Sequence, residues 1–137
     1  MKNIGIIGNG FVGSAVASGF SLWHALRIYD SDPKLSTHTF EQVAAESDII
    51  FVCVPTPMAL SDGTIDLRIL DSVMADLSNA ISSAAVVVIK STVIPGTTNK
   101  YTSKYPNMKI GFNPEFLSER TAHADFNNPT RIVIGAD

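Results

Sequence analysis

Short apolar runs rich in β-branched residues recur along the chain and are separated by segments with helical periodicity. The runs begin 23, 23, 36, 23 and 23 residues apart, which is about the length of one strand, one helix and two short connections. They cover residues 3–7, 26–30, 49–54, 85–90, 108–112 and 131–135. This rhythm predicts an α/β fold with a mainly parallel sheet of about six strands.

Helical patterns between these runs predict helices on both faces of the sheet. The third and fourth runs are almost continuously apolar, which is typical of strands that are covered on both sides. Apolar residues at i, i+3 and i+4 spacing extend from Leu67 to Ile81 and predict a helix there. Further helices are expected over residues 11–20, from Thr39 or Phe40 to about Ser47, and after Pro95.

Length and composition indicate one folded domain, residues 1–137. Apolar residues make up 45% of the chain and charged residues 17%, below the ~25% that is usual for globular domains. The net charge is −3 and the ten basic residues are scattered, so nucleic acid and anionic membranes are not expected as partners. No apolar run exceeds six residues, and the N-terminus lacks the pattern of a secretory signal.

The cysteine and histidine residues predict neither a disulfide nor a metal site. Cys53 is the only cysteine and lies in an apolar run, as expected for a small buried side chain in the reducing cytoplasm. His24, His38 and His123 are far apart and lack the spacing of metal ligands.

The motif with the most specific chemistry follows the first predicted strand. Residues 8–13 are Gly-Asn-Gly-Phe-Val-Gly, a G-x-G-x-x-G that precedes a helical pattern. Gly8 would form a tight turn, Gly10 would leave room for a pyrophosphate, and Gly13 would let the helix pack close to the strand. We interpret the motif as a dinucleotide site in a Rossmann-type, doubly wound sheet. The alternative is a glycine turn that only packs the helix on the sheet.

Asp30 determines which dinucleotide is expected. It ends the second predicted strand, 22 residues after Gly8. A carboxylate at this place can accept hydrogen bonds from both ribose hydroxyls of an adenosine and repels a 2′-phosphate, which favours NAD over NADP. The alternative is that Asp30 is an ordinary acidic residue in the turn that ends the strand. The positive charge of the nearby Lys34 also complicates the exclusion of NADP.

Polar residues also follow the third, fourth and fifth predicted strands. Thr56, held in a stiff loop that begins at Pro55, would offer its hydroxyl to a cofactor or belong to the loop alone. Thr92 is a candidate for the site or for a helix cap. Asn113 fits the N-cap of a helix that directly follows the fifth strand, which would place Glu115 at the N-terminus of that helix, where an acid complements the helix dipole.

Five motifs in this order resemble the N-terminal domain of the UDP-glucose/GDP-mannose dehydrogenase family. They occupy residues 8–13, 54–57, 91–98, 113–117 and 128–135, nearly the whole chain. An ordered set of this kind is far more specific than one glycine loop.

The resemblance implies an enzyme that oxidises the C6 hydroxyl of a nucleotide sugar twice, with two NAD molecules and a thioester on a cysteine. Thr92 would lie beside the nicotinamide and the reacting centre, and Glu115 would help to activate the water that hydrolyses the thioester. The backbone of the loop with Phe116, Leu117 and Glu119 would approach the substrate. The residues implied to hold NAD are Gly8, Gly10, Phe11, Val12, Gly13, Asp30, Pro55, Thr56 and Thr92.

The family also has parts that these 137 residues do not contain. Its catalytic cysteine and a catalytic lysine belong to a second domain, which binds the nucleotide sugar and follows a central helix. Cys53 is not a substitute, the segment after Asp30 is short, and Arg120 stands where the family has glycine. We therefore expect the NAD-binding domain of a nucleotide-sugar 6-dehydrogenase that needs a cysteine domain, here or on a separate chain. The alternative is a stand-alone NAD-binding module without catalysis.

Overall fold

The computed structural model describes residues 1–136, in which strands and helices alternate. The strands are β1 (Asn3–Ile7), β2 (Ala25–Tyr29), β3 (Ile49–Val52), β4 (Val86–Ile89), β5 (Lys109–Phe112) and β6 (Gly135–Ala136). The helices are α1 (Phe11–Phe20), α2 (Phe40–Glu46), α3 (Arg68–Ala80), α4 (Thr97–Lys104) and α5 (Ala122–Asn127), and a 3-10 turn covers Pro33–Leu35.

One sheet contains all six strands, in the order β2-β1-β3-β4-β5-β6. The first five strands in the sequence are parallel, and β6 is antiparallel to β5. The chain first builds outward from β1 to β2 and then continues on the other side of β1 with β3. Such a reversal opens a crevice at the carboxyl ends of β1 and β3, where open α/β sheets bind their ligands. The predicted Rossmann-type fold is confirmed.

Side chains alternate between the two faces of the sheet, and each face has its own apolar core. On one face α2, α3 and α4 cover the sheet, with Met74 and Tyr101 fully buried. On the other face α1 and α5 pack on the sheet and on each other, around residues such as Ile6 and Val16. In β1, for example, the Ile6 side chain packs in the core beneath α1 and α5, whereas the next side chain, Ile7, packs in the core beneath α2, α3 and α4. Among residues 1–136, no helix is long and apolar enough to span a bilayer.

The sixth predicted strand is largely wrong. Residues 131–134 form no strand, and β6 contains only Gly135 and Ala136. The side chains of Ile132 and Ile134 are 71% and 72% exposed, so a longer strand here would bury little apolar surface.

The helix predicted directly after β5 is absent, and residues 113–118 are irregular. The Asn113 side chain does not cap a helix: its Oδ1 accepts a hydrogen bond from Lys90, and its Nδ2 donates one to the Val133 carbonyl oxygen. The helix begins instead at Ala122, and Asp125 from its first turn accepts a bond from the Thr121 hydroxyl. Glu115 therefore does not lie at a helix N-terminus.

Candidate functional site

The glycine loop between β1 and α1 has a separate geometric requirement at each glycine. Gly8 has a φ of +92°, in the left-handed region that favours glycine. A Cβ at Gly13 would overlap the Gly8 carbonyl oxygen, so the first turn of α1 packs directly on the loop. A Cβ at Gly10 would meet no atom within 4 Å, and Gly10 gives α1 no side-chain cap. The space over Gly10 and the first N–H groups of α1 are therefore available to an anionic ligand.

A cavity of about 870 Å³, here called the Asp30 cavity, lies beside this loop and is lined by Gly8, Asp30 and Ser31. The Asp30 carboxylate is held by two backbone N–H groups, since Oδ2 accepts from Asn9 at 2.7 Å and Oδ1 from Asp32 at 2.8 Å. Each carboxylate oxygen can accept a further bond. This geometry leaves Asp30 able to accept bonds from two hydroxyl groups of a ligand.

A second cavity of about 240 Å³, the Thr92 cavity, adjoins the Asp30 cavity, and both are lined by Val54 and Pro55. It brings together residues that are far apart in the sequence. Its walls include Gly10, Phe11, Val12, Pro55, Thr56, Thr92 and Glu115.

Two hydroxyl groups fasten the wall of the Thr92 cavity. Thr56 Oγ1 donates to the Thr92 carbonyl oxygen at 2.6 Å, and the buried Ser91 Oγ donates to the Val54 carbonyl oxygen at 2.7 Å. The Thr56 proton is therefore used inside the protein, whereas the exposed Thr92 has its hydroxyl available. The sequence did not predict the contact of Ser91 with Val54, because a serine after a strand gives no indication of it.

A third cavity of about 310 Å³, the Phe116 cavity, adjoins the Thr92 cavity, and both are lined by Lys90 and Glu115. Phe116 and Leu117 line it, and the Arg131 guanidinium lies 4.4 Å from the centroid of the Phe116 ring.

Two of the predicted site residues line none of these three cavities. Gly13 is buried beneath Gly8, and Glu119 is exposed in the turn before α5. Glu115 does line two cavities, and its Oε2 accepts a hydrogen bond from the Leu117 N–H at 2.7 Å.

Lys90 is a site residue that sequence reasoning missed. It is 4% exposed, and its Nζ donates to Asn113 Oδ1 at 2.8 Å and to the Asn113 carbonyl oxygen at 3.3 Å. Burial lowers the pKa of this ammonium group. The available indication was a lysine placed directly after an apolar strand, at the edge where ligands bind.

Cys53 lines the Thr92 cavity but is poorly suited to nucleophilic chemistry. Burial raises the pKa of its thiol to about 12, although the nearby Lys90 acts in the opposite direction. The thiol is therefore protonated at neutral pH, and only the thiolate is a good nucleophile. Within residues 1–136 no three histidine, cysteine or acidic side chains cluster as a metal site.

The parallel sheet, its reversal point and the glycine loop define a dinucleotide-binding domain of the Rossmann type. A sequence family described as "UDP-glucose/GDP-mannose dehydrogenase family, NAD binding domain" matches residues 24–137. The chain belongs to this family of oxidoreductases, and the cofactor of its domain is NAD. The glycine loop precedes the matched residues and supports the assignment independently.

Relatives and solved structures agree with this assignment. The chain is 36% identical over 107 residues to the UDP-glucose 6-dehydrogenase of Rhizobium meliloti, covering 74% of this chain and 24% of the relative. It is 35% identical over 112 residues to the GDP-mannose 6-dehydrogenase of Pseudomonas aeruginosa, covering 72% and 26%. A ternary complex of a Pseudomonas aeruginosa GDP-mannose dehydrogenase superposes with a TM-score of 0.85 and 27% identity, covering 99% of this chain and 41% of that one. The chain thus spans about a quarter of the length of these two curated relatives.

Proposed function

We propose that residues 1–137 are the single cofactor domain of a nucleotide-sugar 6-dehydrogenase of the UDP-glucose type. A second domain, on the same or a separate chain, would hold the nucleotide sugar and the reactive cysteine. The observation that carries this proposal is the row of three adjoining cavities along the carboxyl edge of the sheet, which share lining residues in pairs. Such a row suits an extended dinucleotide with a substrate at one end.

The lining residues suit the successive parts of NAD. Asp30 would accept bonds from the adenosine ribose, and the open space over Gly10 would take the pyrophosphate against the N–H groups of Phe11 and Val12. The nicotinamide would enter the Thr92 cavity, beside Thr56 and Thr92. NAD, when bound there, supplies the hydride acceptor.

Thr92 and Glu115 would act on the substrate side. The available Thr92 hydroxyl can orient a water molecule or the sugar hydroxyl near the nicotinamide. Glu115 has one carboxylate oxygen fixed by the Leu117 N–H, and its other oxygen is able to accept a proton from water in the thioester hydrolysis. The loop of Phe116, Leu117 and Glu119 would contact the nucleotide sugar. The names of two relatives, a UDP-glucose 6-dehydrogenase and a GDP-mannose 6-dehydrogenase, support the proposal of UDP-glucose or GDP-mannose as the class of substrate.

The raised pKa of Cys53 supports the need for a second domain. The oxidation implied for this family passes through a thioester, and Cys53 would be protonated at the pH of the reaction. Without a second domain, this chain would also lack half of the clamp that holds the substrate in line with the nicotinamide.

The test is complementation, followed by the absorbance of NADH. This chain is mixed with NAD, UDP-glucose and the separately expressed cysteine domain of a relative, with GDP-mannose in a parallel arm. We expect no steady turnover from this chain alone and NADH production once the second domain docks. Steady turnover by this chain alone would overturn the proposal that a second domain supplies the reactive cysteine. NAD binding without turnover in any combination would favour a stand-alone NAD-binding module.

A further inference from the structure

Lys90 lies in the wall between the Thr92 cavity and the Phe116 cavity, and its ammonium group forms no ion pair with a described carboxylate. Its ammonium is almost fully buried, and within residues 1–136 it is hydrogen-bonded only to neutral oxygens of Asn113. The ion pairs within residues 1–136 involve Arg27, Arg68 and Lys100, so no described carboxylate oxygen lies within 4.0 Å of Lys90. Neutral hydrogen-bond partners stabilise a buried charge but do not cancel it. Such a charge therefore produces an electrostatic field in the adjoining cavity.

The charged groups around Lys90 do not cancel this field. Cys53 lines the same cavity, and its raised pKa keeps the thiol neutral. Glu115 carries the opposite charge and lines both cavities, but it is only half-buried and is therefore better screened by water. The Phe116 cavity is also lined by Asp125 and Arg131, which are one acidic and one basic residue. The low exposure of Lys90 makes it the least screened charge beside the Thr92 cavity.

We propose that the Lys90 ammonium biases the Thr92 cavity toward the neutral dihydronicotinamide of NADH and against the cationic nicotinamide of NAD. This inference rests on the proposed function, which places the nicotinamide in that cavity. The two cofactor forms share their adenosine and pyrophosphate groups and differ in ring charge, so the field of Lys90 acts on their difference. Oxidation of the sugar hydroxyl converts NAD to NADH, and Lys90 would therefore favour the forward direction.

The test compares the dissociation constants of NAD and NADH for the wild-type chain, Lys90→Gln and Lys90→Arg by titration calorimetry. Glutamine keeps a donor for Asn113 and removes the charge, whereas arginine keeps the charge. The measured quantity is the dissociation constant of NAD divided by the dissociation constant of NADH. We expect this ratio to fall about three- to tenfold in Lys90→Gln and to stay at the wild-type value in Lys90→Arg. ADP-ribose, which lacks the nicotinamide, should bind all three proteins equally. Lys109→Gln is the matched control, since Lys109 is an exposed lysine at the amino end of β5, whereas Lys90 lies at the carboxyl edge of the sheet.

Glu115→Gln removes a charge of the opposite sign that lines the same two cavities as Lys90. Glutamine preserves the acceptor for the Leu117 N–H, so this variant should fold, and the ratio should rise instead of falling. An unchanged ratio in Lys90→Gln with normal ADP-ribose binding would overturn the inference. If Lys90→Gln does not fold, a wild-type chain that binds NAD at least as tightly as NADH overturns the inference. A wild-type chain that binds neither cofactor form would instead overturn the proposed function itself.

Discussion

The hydroxyl of Thr56 donates a hydrogen bond of 2.6 Å to the backbone carbonyl of Thr92 and joins the ends of two neighbouring strands. Thr56 follows β3 and Thr92 follows β4, 36 residues further along the chain. The bond fixes the wall of the Thr92 cavity and leaves the Thr92 hydroxyl available to a ligand. Thr56 thus has a positioning role in addition to any direct contact with the cofactor.

Thr56→Val should weaken NAD binding with little effect on folding. Valine is close to threonine in shape but cannot donate to the Thr92 carbonyl, and a hydrogen bond of this kind contributes about 0.5–1.5 kcal/mol. We expect a two- to tenfold higher dissociation constant, roughly the same free-energy range, measured by calorimetry. Thr102→Val is the control, because Thr102 donates to a carbonyl inside α4 at 3.0 Å. If Thr56→Val and Thr102→Val raised the NAD dissociation constant equally, the result would contradict a special role of Thr56.

Asp30→Ala should narrow the preference for NAD over NADP by roughly 1–2 kcal/mol, because the charge-assisted bonds to the ribose are lost together with the repulsion of a 2′-phosphate. Titrations of the wild-type chain and the variant with both cofactors measure this preference. Asp32→Ala serves as a control for the turn, since Asp32 holds the N–H of Lys34. Wild-type protein that binds NADP as tightly as NAD would contradict the role of Asp30.

Gly10→Val should abolish NAD binding and preserve the fold. The new side chain would enter space that is empty of protein atoms but is needed by the pyrophosphate. Thermal melting and NAD titration separate the two effects. Gly135→Val is the matched control, because its Cβ would also meet no atom within 4 Å, far from the glycine loop in the sequence. Undiminished affinity in Gly10→Val would mean that the phosphates bind elsewhere.

Alkylation of Cys53 should be slow in the native protein. With a pKa of about 12, against an ordinary value of 9.0, the thiol is protonated at pH 8. We expect native protein to react with iodoacetamide at least about tenfold more slowly than the unfolded chain.

Because folding raises the pKa of Cys53, the contribution of this thiol to the free energy of unfolding is complete below pH 9 and is lost as the pH rises toward 12. Cys53→Ala should lack that part of the pH dependence, and fast native alkylation would contradict the assignment.

The sequence predicted those parts of the fold that depend on short-range patterns. The spacing of apolar runs and the glycine loop predicted five strands, four helices and the edge of the sheet where the cavities lie. The helix expected after β5 failed because Asn113 is engaged by Lys90 and Val133, two contacts that arise only when distant segments meet. The sixth strand failed because apolar residues such as Ile132 stay exposed.

Predicting the site required knowledge of neighbours across the sheet. Asp30, Thr56 and Thr92 were identified because each follows a strand at the carboxyl edge, where parallel strands place their ends together. Lys90 was missed because its importance depends on its burial and on the lack of a described carboxylate oxygen within 4.0 Å of its ammonium group. Neither property can be read from one residue type at the end of one strand.

The most direct test of the account maps NAD on the protein by NMR, with a titration of the isotope-labelled chain. We expect saturable shifts of the backbone amides of Gly10, Asp30, Thr56 and Thr92, which lie along the carboxyl edge of the sheet. The amide of Lys109, at the amino end of β5, should remain unchanged. Shifts confined to the amino ends of the strands, or the absence of saturable binding, would contradict the placement of NAD across the three cavities.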